Sequence, residues 1–184
     1  SDGTVWGWGD GSRAQLGMGR GSNNPVPVQS NELSGIRAIS MGREHGLAVK
    51  QDGTLWAWGN NGAGRLGDGT NDTRYTPIQI TDGIKGISAG RNSSMAIKTD
   101  GTVWTWGDNY FGQLGDGTTT LRLSPVKING LANVTAVAMG YNHALAMTSD
   151  GTVWAWGNNS YGQLGNGTTT NSSTPVAMVE NMAP

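Results

Sequence analysis

Residues 100–107 read Asp100-Gly101-Thr102-Val103-Trp104-Thr105-Trp106-Gly107, and the same phrase, Asp-Gly-Thr-(Val/Leu)-Trp-x-Trp-Gly, also begins at Asp2, Asp52 and Asp150. The four copies hold all eight tryptophans of the chain: Trp6 and Trp8, Trp56 and Trp58, Trp104 and Trp106, Trp154 and Trp156. Steps of 50, 48 and 50 residues between copies mark a tandem array of propeller or solenoid units, not a single-core enzyme. Asp-Gly between apolar runs signals a hairpin, and the expected turn is type I′, with positive φ at both residues. Alternation along the strand that follows puts Thr4, Trp6 and Trp8 on one face and Val5, Gly7 and Gly9 on the other. Between the two tryptophans stands Gly7, Ala57, Thr105 or Ala155. Residues this small predict that the indoles of one sheet pack on the small-residue face of its neighbour.

Each copy continues through a loop ending in Leu-Gly at Leu16, Leu66, Leu114 and Leu164, and then reaches a proline: Pro27, Pro77, Pro125 and Pro175. A proline cannot donate to a ladder, so it marks a strand start or a sheet edge. Two further strands per period are expected at 36–40, 84–88 and 134–138, and at 45–49, 93–97 and 143–147. The fold class is therefore all-β: blades of four-stranded antiparallel sheets, in repeats starting near Asp2, Asp52, Asp100 and Asp150, across residues 1–184 with no second domain.

The full unit, Gly-x-x-His-x-Leu-Ala-Val followed by Asp-Gly-Thr-Val-Trp-x-Trp-Gly-x-Asn-x-x-Gly-Gln-Leu-Gly, resembles the repeat of the regulator of chromosome condensation family over the whole chain. Gly in place of Asp after the tryptophan argues against WD40 blades, and the lack of a Gly-Gly pair argues against kelch. The resemblance implies a closed seven-bladed β-propeller with ligand loops on one rim. This chain departs from it by carrying four Trp half-repeats but three Gly-x-x-His halves, about three and a half blades. The expectation is a partial ring, a segment of a longer propeller, whose open blade faces are covered by further chain or by other copies of itself. Two copies joined head to tail would set Trp half against Trp half and would not close in register.

Composition narrows the function classes. With 31 glycines, 14% charged residues, net charge -1 and no Lys/Arg run, the chain lacks the basic footprint of a nucleic-acid or membrane-surface binder. No apolar stretch is long enough to span a membrane and no export leader is present in these residues. Zero cysteines exclude disulfides and thiolate chemistry. The Thr-, Asn- and Ser-rich loops favour an exported bacterial protein, extracellular or at the cell surface.

Repeat logic also weighs the candidate chemistry. His45 and His143 share a repeat position that holds Ser93 in another copy, so a structural hydrogen bond accounts for them and a catalytic base does not. Asp10 and Asp108 alternate with Asn60 and Asn158, and Asp68 and Asp116 with Asn166 and Met18, which favours turn bonding over general acid/base work. The run 68–72, Asp-Gly-Thr-Asn-Asp, lacks the ligand spacing and closing Glu of a calcium loop. No metal, no cofactor and no enzymatic activity are expected.

What differs between copies is free to serve a partner. One such loop holds Arg13, Tyr110, Phe111 and Tyr161, and the other, spanning Arg20 to Asn24 in the first copy, holds Arg74, Tyr75 and Arg122. These are residue types that dominate interface energetics, although rings packed under their own loops are the bland alternative. The leading reading is a non-catalytic protein-interaction scaffold. Alternatives are an assembly repeat of a surface or filament protein and an enzyme inhibitor, since a propeller inhibitor of β-lactamase is similar in repeat and loop aromatics. Guanine nucleotide exchange, which the resemblance also implies, depends on an inserted wedge for which the regular repeat steps leave no room. A polysaccharide-acting enzyme would require paired carboxylates on one rim.

Overall fold

The computed structural model describes residues 2–19 and 21–179, which hold fourteen β-strands and no helix. The first sheet consists of β1 (Trp6–Gly9) and β2 (Asn24–Gln29). The second contains β3 (Ile36–Met41), β4 (His45–Lys50), β5 (Leu55–Gly59) and β6 (Arg74–Thr81) in sequential antiparallel order. The third repeats this with β7 (Ile84–Ala89), β8 (Ser93–Lys98), β9 (Val103–Gly107) and β10 (Arg122–Lys127), and the fourth with β11 (Val134–Met139), β12 (His143–Thr148), β13 (Val153–Gly157) and β14 (Ser172–Ala177). Three complete four-stranded blades and one half-sheet result. Every tandem proline lies in an outermost strand, where its missing N–H breaks no ladder bond.

Sheet boundaries do not coincide with the sequence repeat. Each blade takes its first two strands from the end of one copy and its last two from the start of the next, joined by the Asp-Gly hairpin. That hairpin is not type I′. Only the glycine has positive φ (Gly53, +85°), the Gly53 N–H donates to the Lys50 carbonyl, and Lys50 N–H donates to the Thr54 carbonyl. This is a type I turn closed by a left-handed glycine. The aspartate stays at negative φ because its carboxylate accepts from the Thr54 N–H (2.9 Å) and hydroxyl (2.7 Å), and the Thr54 oxygen in turn accepts from the Trp56 indole (3.0 Å). Asp2–Thr4–Trp6 and Asp100–Thr102–Trp104 repeat the relay.

The indoles pack on the neighbouring face that carries the residue between its tryptophans, as at Ala57, but that face is filled by branched and long aliphatic side chains, not by small residues. The aliphatic face of the second blade (Leu47, Val49, Leu55, Ala57) receives Trp106 and Ala96 of the third, and Met95, Ile97 and Val103 of the third receive Trp156, Ala144 and Ala146 of the fourth. The second indole of each pair also reaches back to the preceding loop: Trp58 donates to the Gln15 carbonyl (2.8 Å), Trp106 to Arg65 (2.9 Å) and Trp156 to Gln113 (3.0 Å). Here the Leu-Gly motif finds its reason. Gly67 has φ +82°, and a Cβ on it would fall 2.8 Å from the Trp106 indole nitrogen, so neither the backbone nor the space admits a side chain. Trp6 and Trp8, by contrast, are 51% and 61% exposed on the half-sheet.

Candidate interaction surface

Strand register gives the array two ends. His45 pairs with Gly59 and Gly59 with Arg74, so the β3–β4 turns and the long β5–β6 loops share one end, here called the top, with the Asp-Gly hairpins at the bottom. The first strands of successive blades approach one another, as β3 does β7 and β7 does β11. The β3–β4 turns therefore form an inner top edge and the β5–β6 loops an outer one.

The outer loops are rigid knots. Buried Asn61 accepts from the Leu66 N–H (3.0 Å) and donates to the Asp68 carboxylate (2.9 Å) and the Thr70 carbonyl (2.9 Å). Asn109 with Asp116, and Asn159 with Asn166, repeat the arrangement. Asp68 also pairs with Arg74 (2.6 Å), and Asp116 with Arg122 (2.7 Å). Burial pushes both carboxyls up, but the bonds from Arg74, Thr70 and Asn61, or from Thr118 and Arg122, hold them below the ordinary carboxylate value. Asp68 is thus spent inside its own loop. The alternating Asp and Asn that begin these loops each accept an N–H two residues on, as Asp10 does from Ser12 (2.8 Å) and Asn60 from Gly62 (2.8 Å). Among the described residues no three His, Cys, Asp or Glu side chains gather as a metal site.

All seven residues singled out for partner contact stand at the top, strung along the outer loops rather than gathered in one patch. Tyr110 and Tyr161 project into solvent, 76% and 94% exposed. Phe111 is half-buried, edge-on to Tyr110 at 4.9 Å between ring centroids. Arg13 is exposed, and Tyr75 lies beside the preceding loop, its carbonyl accepting from the Gly19 N–H (2.9 Å). Arg74 and Arg122 brace their loops through the ion pairs just described, which leaves about a third of each side chain exposed. Arg20 lies outside the described residues.

His45 is fully buried at a blade junction. Its Nε2 is 2.9 Å from the Ser94 hydroxyl, which donates its single proton to the Arg65 carbonyl (2.7 Å). Nε2–H is therefore the donor to Ser94, and Nδ1 is bare. Burial, reinforced by the nearby Arg65 charge, pushes the imidazole down to about 3. His143, half-buried, is lowered by burial alone.

A second group at the top was not singled out from the sequence. After the glycine that begins each β3–β4 turn stand Arg43, Arg91 and Tyr141, lining a shallow depression of about 270 Å³ with Met41 and Met139. Arg91 lies over the Tyr141 ring at 4.1 Å. Arg65, buried, pairs with Glu44 of the first of these turns at 3.7 Å. Burial pushes the Arg65 guanidinium down from its ordinary value; Glu44 and Asp108 oppose that shift, and Arg43 and Arg91 add to it. The available signal was comparison between copies: Arg65 occupies the place of Gln15, Gln113 and Gln163.

Comparison with known proteins agrees with this architecture. The family model of the RCC1-like domain matches residues 1–184. Yeast RCC1 (Prp20), solved bound to Kap60, superimposes with a TM-score of 0.85 at 23% identity, over 97% of this chain and 45% of that one. The structure of Prp20p from Saccharomyces cerevisiae, whose report covers binding to Gsp1p and histones, gives 0.86 at 22% identity, over 97% and 47%. Human WBSCR16 gives 0.84 at 24%, over 97% and 49%. The chain thus spans about half the length of these solved propellers, and at such identity the likeness carries the fold. No curated protein matches the chain. No helix among the described residues is long and apolar enough to cross a membrane.

Proposed function

Since the chain belongs to the RCC1-like domain family and carries its copy-to-copy differences at one end of a rigid blade array, we propose that it is a non-catalytic module that presents its top end to another protein. The observation that carries this is the contrast within the outer loops. Asn61, Asn109 and Asn159 are buried and fully used inside their knots, while Tyr110 and Tyr161 are held out in water. A large ring on a preorganised loop loses little freedom on binding, which is the economy of an interface anchor. The fold alone hosts many functions, so the binding to Kap60, Gsp1p and histones reported for yeast Prp20 supports a protein partner without naming one here. Carboxylates committed to turns and a histidine committed to a blade junction support the absence of catalysis. An exported bacterial setting, read from loop composition, belongs to the same proposal.

Site-specific photo-cross-linking tests it. A cross-linker placed at Tyr161 is expected to capture a discrete protein in the source cells, and one placed at Gln51 in a bottom hairpin is not. Equal capture from both ends, or from the bottom alone, refutes the reading. A second reading, assembly with other copies, is favoured by the exposed Trp6 and Trp8. It predicts a concentration-dependent mass in light scattering that Trp8→Ser abolishes.

A further inference from the structure

The inner top edge carries charge that neither blade packing nor the outer knots use. Arg43, Arg91 and Tyr141 come from three successive blades to one depression, and Arg65, only 6% exposed and paired with Glu44 of the first turn, lies close enough to feel the charges of Arg43 and Arg91. The Nε and Nη1 of Arg65 have no hydrogen-bond partner, nor has the Nε of Arg91. Glu44 approaches Arg65 and Arg43 no closer than 3.7 Å, and its Oε2 accepts from the Asn60 amide at 3.1 Å.

In the other copies the residue at the Arg65 position closes its own loop: Gln15, Gln113 and Gln163 accept from the N–H groups of Arg13, Phe111 and Tyr161. A guanidinium has no acceptor. The second copy therefore gives up a loop bond found in the other three and gains a buried guanidinium whose Nε and Nη1 make no hydrogen bond, with only the Glu44 carboxylate at 3.7 Å beside it. Such donors are costly unless a ligand completes them.

We propose that this inner edge is a docking site for a short acidic segment of a partner protein, its carboxylates held between Arg43 and Arg91 with Arg65 completing the donor set. Tyr141, Met41 and Met139 supply the apolar border. Guanidinium groups suit planar, two-point recognition of carboxylates, and methionine with aromatic borders is typical of adaptable protein contacts. The depression is shallow and open, which suits a segment lying across a surface better than an enclosed small anion. Glu44 and Asp108 stand among the three arginines and leave one excess positive charge, too little for a nucleic-acid backbone. The site rests on the reading that the top end binds protein and adds the chemistry of what binds.

The test is a titration of the full chain with the blocked peptide Gly-Glu-Glu-Gly at low salt, followed through the backbone amide resonances of Gly42, Gly90 and Gly140, with Gly-Gln-Gln-Gly and inorganic phosphate as parallel arms. Saturable shifts with the acidic peptide are expected, weakened about tenfold or more by Arg43→Gln with Arg91→Gln, since each removes a charge-assisted bond, and unchanged in Lys85→Gln at the bottom. Arg65→Gln, which installs the residue of the other copies, is expected to weaken binding while melting no lower than the parent chain. No saturable shift, equal response to Gly-Gln-Gln-Gly, unchanged affinity in the arginine variants, or tighter binding of phosphate than of the peptide each overturns the site. A chain that cross-links from Tyr161 yet ignores the acidic peptide loses this site alone and keeps the proposed function.

Discussion

Replacing equivalent tryptophans along the array should expose the blade-on-blade packing as a gradient. Trp106 is fully buried, packed on Leu47, Leu55 and Leu66 of the preceding blade, and its indole donates to the Arg65 carbonyl. Truncating a buried tryptophan costs about 3–5 kcal/mol, and that carbonyl keeps its bond from the Ser94 hydroxyl, so no further penalty for an orphaned acceptor is expected. Trp8, at the same repeat position, is 61% exposed, and its removal should cost about 1 kcal/mol or less. At roughly 2–4 °C per kcal/mol for a chain of this size, Trp106→Ala should lower Tm by about 6–20 °C and Trp8→Ala by a few degrees at most. Trp58→Ala and Trp156→Ala, both buried and both bonded to the preceding loop, should group with Trp106. Urea denaturation followed by circular dichroism, with a shifted midpoint at unchanged slope as the sign of altered stability, reads the series. Equal costs at Trp8 and Trp106 would refute the stacking of indoles on the preceding blade.

Gly67→Ala should destabilise by about 2–4 kcal/mol, combining the strain of a left-handed residue with a clash, and less than additively when Trp106→Ala has removed the ring it strikes; full additivity in a double-mutant cycle contradicts the contact. Asp116→Ala should cost about 2–4 kcal/mol because it strands Arg122 and Asn109, while Asp116→Asn should cost about 1–2 kcal/mol, since Asn166 fills the equivalent place in the next copy. Similar losses for the two variants would mean that the charge pair alone carries the loop and would deny a role to the bonds that an amide can replace. Stability should fall on acidification from about pH 6.5, because the unfolded chain takes up a proton that His45, at about 3 in the folded state, refuses. The slope is at most about 1.4 kcal/mol per pH unit for this residue, and the contribution is present in full above 6.5 and lost progressively toward 3. His45→Gln should flatten it between pH 6.5 and 4.5, and an unchanged slope there would mean that the imidazole is not held neutral. Below that range the lowered Asp68 and Asp116 carboxyls take over, since their contribution, present above their ordinary value, disappears as they protonate.

Blade architecture was legible because its requirements recur. The Asp-Gly-Thr-(Val/Leu)-Trp-x-Trp-Gly phrase is written four times, so strands, sheet edges and the half-sheet followed from its spacing and from the strand and turn pattern of each copy. The turn type did not, because Asp-Gly is compatible with more than one hairpin. What decides between them is the carboxylate of Asp52 bonding Thr54 two residues on, a side-chain choice hidden in the dipeptide. The candidate surface was half visible. Tyr110 and Tyr161 declared themselves as large rings in variable loops, but Arg74 and Arg122 looked equally free, and only folding brings them onto Asp68 and Asp116. Arg43, Arg91 and Tyr141 escaped notice because each sits in a different copy, and nothing in one copy shows that three inner turns converge.

Repetition itself explains where such a site can arise. The indole and the Leu-Gly loop bind each blade to the next, so a change in either is felt across a junction, as the buried Trp106–Arg65 and Ser94–Arg65 bonds show. Arg65 is the exception that respects this constraint. Its backbone carbonyl still accepts from both Trp106 and Ser94 of the next blade while its side chain departs from the glutamine of the other copies. The framework function thus resides in the main chain and leaves the side chain free to carry charge. Glu44, where the other turns have Asn92 and Asn142, partly offsets that charge at 3.7 Å. A replacement made only for packing would have little use for a buried guanidinium whose Nε and Nη1 make no hydrogen bond, close to two more arginines. That combination makes physical sense if the inner edge receives negative charge from outside the chain.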